Sequence, residues 1–145
     1  MTNAKWIGAC SLTVLIALYV VGAVSGGSLR HEVQTLPLWF PIVMGFRGKE
    51  SARWSAVPCL VFWLVIMIFI WLFLLGWAHL LTGHFSAVEI AMTLVIGMAS
   101  GLGIFHVIRW RTSMRFPLAI GLVVLFALLQ VAAFRISMIS YIATH

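Results

Sequence analysis

Few residues in this chain are equipped to do chemistry, and four of them fall together. His79, His84, Glu89 and Arg135 lie near the ends of apolar runs that the patterning brings to one side of a membrane. Ionisable groups at membrane depth are costly and mark ligand, ion or proton sites by default. As a set the four make a candidate outer polar cluster, with Glu89 and Arg135 placed to pair in a half-dry setting between two imidazoles. A plainer reading accounts for each separately. Glu89 stands three residues after Ser86, as in a helix capping box. The histidines then sit at the interface, and Arg135 carries its charge to the surface on its aliphatic stem. Two histidines five residues apart, with a carboxylate five further on, do not have the spacing of a metal site. No metal or cofactor is expected.

The remaining inventory is thinner. The chain holds no Asp and three Glu, and it has no GxSxG, HExxH or CxxC motif. Paired-carboxylate catalysis and carboxylate-bound divalent metals are therefore poorly supported, and a non-enzymatic role is expected. Cys10 and Cys59 start separate runs read as antiparallel, which puts them in opposite leaflets and beyond disulfide reach. His106 lies about a membrane thickness from His79, too far to share a haem.

A second group of charges flanks an unusual stretch. Between Arg30-His31-Glu32 and Arg53 lies the apolar run 36–46, eleven residues interrupted by Pro37 and Pro41. It is too short to span and twice broken, so it must lie on the membrane, re-enter it or pack on the protein. Arg30, His31, Arg47, Lys49 and Arg53 are candidate contacts for lipid headgroups or a protein partner on the cytoplasmic side.

The elements that hold these residues follow from composition. Of 145 residues, 63% are hydrophobic and 8% charged, with mean hydropathy +1.14. A soluble domain is about a quarter charged, so lipid is the solvent here. The formal charge of +6 gathers beside apolar runs, where it sets topology and meets anionic lipid; nucleic acid is not an expected partner. Four runs reach the roughly 20 residues that a bilayer core requires. They extend from Trp6 to about Val24, Val57 to Leu81, Val88 to Ile108, and Phe116 to Phe134 or beyond. The expected fold is all-α, a single transmembrane domain over 1–145. It is a four-helix bundle with cytoplasmic loop 25–56 and an interfacial or re-entrant segment in that loop.

Counted by loop, seven of the nine Lys/Arg fall in the first and third connections, leaving only Lys5 and Arg135 at the ends. The positive-inside bias then puts both termini outside the cytoplasm of a bacterial inner membrane. Gly22 and Gly26 in the first run and Gly97 and Gly101 in the third form two GxxxG notches, expected to pack together within one leaflet. Conspicuous packing surfaces and absent chemistry favour a non-catalytic subunit or assembly partner of a membrane complex, or a homo-oligomer. A binder or carrier of a lipid or quinone is the alternative, suggested by the aromatic second run. A membrane enzyme or proton-coupled transporter using the outer cluster is the third.

Overall fold

The computed structural model describes residues 1–77, 85–111 and 113–139. Six helices form: α1 (Asn3–Ser25), α2 (Ser28–Thr35), α3 (Trp39–Phe46), α4 (Ser51–Leu74), α5 (Ala87–Arg109) and α6 (Phe116–Ser137). A 3₁₀ turn, Leu36–Leu38, joins α2 to α3. There is no strand among the described residues. Four helices, α1, α4, α5 and α6, are long and apolar enough to cross a membrane. The all-α four-helix bundle expected from the sequence is present. α4 begins six residues earlier and ends seven residues earlier than the hydropathy limits Val57 to Leu81. Its chain turns at Gly76, whose φ of 75° suits a residue without a Cβ.

The first connection departs from expectation. It does not stay at one end of the bundle. It runs back along α1 from one end to the other. Gly22, near the end of α1, packs against the His31 side chain of α2. One turn earlier on α1, the Tyr19 hydroxyl meets Thr35 Oγ1 at 3.5 Å. Near the start of α1, Gly8 lies against the backbone of Ile42, Gly45 and Phe46. The nineteen residues of 28–46, at about 1.5 Å per helical residue, cover roughly 28 Å, just short of the bilayer core. Length and hydropathy exclude this segment as a lipid-facing span. It runs the length of the bundle packed against α1, α4 and α6, with Leu36, Trp39, Val43 and Phe46 on its exposed side.

The crossing makes α1 and α4 parallel, and α5 antiparallel to both. Asn3 Oδ1 lies 3.1 Å from His106 Nδ1, and Trp6 stacks on His106 with centroids 5.3 Å apart. Gly103 of α5 receives Leu60 of α4 and Cys10 of α1 on the same side. Three expectations change as a result. Cys10 and Cys59 share one half of the bundle, both buried as free thiols. The start of α1 and the end of α6 lie at opposite ends of the bundle, which does not fit the expectation of both termini on one side. Helices α1 and α5 do pack together, but antiparallel and without the expected glycine seam. Gly22 faces α2, Gly26 is the left-handed C-cap of α1 with nothing near it, Gly97 has only the Met67 Cβ at 3.9 Å, and Gly101 faces open space.

The close approaches lie elsewhere. A Cβ on Gly45 would stand 2.7 Å from the backbone of Gly8 and 2.8 Å from Ala4 O, and one on Gly103 would stand 2.6 Å from the Leu60 side chain. Backbone cannot yield as a side-chain end can. Gly45→Ala is therefore expected to destabilise by about 1–3 kcal/mol or more, and Gly103→Ala by less. Gly101→Ala should be neutral or stabilising, by up to about 1 kcal/mol. Thermal unfolding of the three variants in detergent checks the order; equal loss at Gly45 and Gly101 would contradict it.

Candidate functional site

The two ends of the bundle differ in chemistry. Lys5, Arg47, Lys49, Arg53, Arg109, Arg111 and Arg115 gather where α1 and α4 begin and α5 ends; this is the basic end. Arg53 lies over the Trp54 ring at 4.5 Å and Arg109 over Phe105 at 4.8 Å. Glu50 accepts hydrogen bonds from the Ser113 amide at 3.2 Å and from its hydroxyl at 3.1 Å, tying the start of α4 to the connection before α6. The set Arg30, His31, Arg47, Lys49 and Arg53 is thereby split. Arg47, Lys49 and Arg53 belong to the basic end, and Arg30 and His31 to the opposite end, because the segment between them crosses.

At that opposite end a cavity of about 600 Å³ opens between α1, α2, α4, α5 and α6. This lies within the roughly 300–1,000 Å³ range of small-molecule sites. Ser25, Arg30, His31, Gln34, Glu89 and Thr93 supply its polar wall. The rest is apolar, with Ile66, Met67, Phe69, Ile70 and Phe134 among the lining residues. Exposed side chains at the rim, Ser25, Phe69 and Met138, show that the cavity reaches the surface.

Each polar group is held by a local cause. His31 Nδ1 lies 2.9 Å from Gly27 O, so that nitrogen carries the hydrogen and donates it; in the neutral ring Nε2 remains an acceptor. Glu89 closes the expected capping box: Oε2 accepts from the Ser86 amide at 2.7 Å, and Ser86 Oγ accepts from the Glu89 amide at 3.3 Å. Thr93 Oγ1 donates to Ile90 O at 2.7 Å. Gln34 stands at the break between α2 and the 3₁₀ turn. Its side-chain amide donates to Ser137 Oγ at 2.9 Å, and its carbonyl accepts from Gln130 Nε2 at 3.1 Å. A helix break in an apolar interior strands a carbonyl, and Gln130, fully buried in α6, satisfies it.

Of the expected outer cluster, Glu89 lines the cavity, while Arg135 is exposed and Glu89 is engaged by Ser86. The structure does not bring Glu89 and Arg135 together as a pair, because α6 turns Arg135 outward. His79 and His84 lie outside the described residues. Among those described, no group of three His, Cys, Asp or Glu is arranged to hold a metal.

Sequence reasoning missed Gln34, Thr93 and Gln130, and reached Trp63 only as one ring of the aromatic second run. Trp63 is 3% exposed, lines the cavity and has no partner for its indole N–H. Gln130 carried a usable signal as the amide side chain in the middle of the fourth apolar run, since such residues join helices in membranes. Comparison with protein-family models, curated proteins and solved structures finds no match to this chain.

The capping box gives Glu89 a structural share that substitution separates from any binding share. Glu89→Gln keeps a side chain able to accept from the Ser86 amide and should cost well under 1 kcal/mol in thermal unfolding. Glu89→Ala should cost about 0.5–2 kcal/mol. Equal losses in the two variants would show that the charge, rather than the cap, stabilises α5.

Proposed function

We propose that this protein is a membrane-embedded binder of a small amphiphilic molecule, held in the cavity opposite the basic end. One observation carries the reading: about 600 Å³ of space lined by a set of polar side chains from α1, α2 and α5 and by a larger set of apolar ones. A molecule with a polar head and a hydrocarbon body meets both surfaces. Empty apolar space in a bundle forfeits dispersion contacts, so an occupant also stabilises the protein that encloses it. Among the described residues the lining contains no nucleophile hydrogen-bonded to a base, which favours binding over catalysis.

Protein purified in mild detergent is expected to carry an extractable amphiphile near one per chain, enriched over bulk lipid by mass spectrometry. Ile70→Trp, which adds bulk at the cavity wall, should remove it while leaving the elution volume unchanged. An extract identical to bulk lipid for both proteins would refute the reading. The mass of the same particle speaks to a partner or second copy, for which the open Gly97 and Gly101 face of α5 offers a close helix contact.

The basic end supports a cytoplasmic orientation for the start of α1. Exchanging Lys5 for Arg30 in the loop count leaves seven Lys/Arg at one end and two at the other, Arg30 and Arg135. The positive-inside rule then favours a cytoplasmic basic end and an external cavity mouth in a bacterial-type inner membrane. A fluorescent protein fused ahead of Met1, of the kind that fails to fold after export, should fluoresce; a dark, fully expressed fusion would reverse the orientation.

A further inference from the structure

The charges and donors that face the cavity do not balance, and the imbalance has one sign. Glu89 is answered locally: its carboxylate accepts from the Ser86 amide at the N-terminus of α5, where the helix dipole also favours negative charge. His31 is held in one tautomer by Gly27 when neutral. Arg30 has no such answer. Its Nε is buried without a partner, and no carboxylate pairs with it among the described residues. Deeper in the cavity, on the order of 10 Å along the bundle axis, the Trp63 indole N–H is also buried and unpartnered. Among the described residues, both orphaned groups lining this cavity are donors. Gln130 Oε1 is an orphaned acceptor, but Gln130 does not line it.

Taking the cavity as a binding site, we infer that its ligand is an anionic amphiphile, a hydrocarbon chain bearing a carboxylate or phosphate, with the head at Arg30. A carboxylate or phosphate is rich in acceptors and has no intrinsic need of a donor from the wall. Guanidinium meets either anion through two parallel hydrogen bonds, and in a partly dry site that pairing also offsets the cost of the half-buried cation. A neutral carbonyl-bearing molecule such as a quinone would satisfy one donor and leave the charge unpaired. His31 Nε2, an acceptor in the neutral ring, suits a head that retains one proton or comes with a bound water. The apolar wall from Ile70 towards Trp63 takes the chain, and the Trp63 N–H faces an ester oxygen or water further down.

The test measures retention of radiolabelled oleate by immobilised full-length protein in mild detergent, with unlabelled oleate, dioleoyl phosphatidate and methyl oleate as competitors. Saturable binding near one per chain is expected. One or both anionic competitors should displace the label at least tenfold better than the methyl ester, and their relative strength separates a fatty acid from a phospholipid source. Arg30→Gln should weaken anion binding about tenfold to a hundredfold, the value of a charge-assisted hydrogen bond. Arg30→Lys should recover part of it. Trp63→Phe, with an unchanged elution profile, should weaken competition by dioleoyl phosphatidate severalfold and affect oleate, which has no ester oxygen, less, without altering the preference for an anion. Equal competition by the methyl ester, or unchanged binding in Arg30→Gln, overturns the anionic head and leaves the cavity as a site for neutral amphiphiles. Failure of oleate, phosphatidate and methyl oleate alike to bind overturns the cavity reading with it.

Discussion

A polypeptide backbone inside an apolar medium must satisfy its own amides and carbonyls, and this bundle meets that constraint at the break in its first connection. Residues 28–46 cannot form one continuous helix, because Pro37 and Pro41 lack the N–H groups that such a helix requires. The segment instead makes two short helices with a 3₁₀ turn between them. Gln130 takes up the Gln34 carbonyl, and the Gln34 side chain reaches Ser137. With those bonds made, a broken segment can lie against α1 and α6 at membrane depth. Discontinuous backbone is tolerated there only where protein or a cavity surrounds it.

The rest of the architecture depends on that crossing. Because the chain returns to the starting end of α1 before α4 begins, α1 and α4 run in the same direction and α5 fits antiparallel between them. Gly45 against Gly8 sets how closely α3 can approach α1, and Gly103 does the same for α5 against α1 and α4. The approach is tight at the basic end, whereas the bundle is open at the other. There Gly22 admits the His31 side chain, and Arg30, His31 and Gln34 are carried onto the wall of the cavity. Tight packing at one end and a cavity at the other are two results of one connection.

Several features were legible from residues alone because their causes are local. Spans long and apolar enough to cross follow from side-chain transfer energies summed over about 20 residues. The Ser86 and Glu89 capping box follows from a spacing of three and is present with both hydrogen bonds. The first connection was illegible to the same reasoning. Hydropathy asks what a segment would pay in lipid, and α2, with Arg30, His31, Glu32 and Gln34, would pay heavily. Gln34 and Thr35 are in fact buried against protein, so their share of that cost does not arise. GxxxG spacing likewise describes how closely a helix can be approached, not which neighbour approaches it.

Composition and local pattern were enough to show that lipid is the solvent, which segments can cross it, how α5 begins and how few groups could do chemistry. These properties belong to a residue and its near neighbours along the chain. Tertiary structure alone decided the direction in which helices run past one another, and hence which charges share an end. It split Arg30 and His31 from Arg47, Lys49 and Arg53, turned Arg135 away from Glu89, and brought Trp63 and Thr93 to the cavity that Arg30 also lines. Those outcomes rest on contacts between residues as far apart as Gln34 and Ser137, whose geometry depends on where every intervening helix packs.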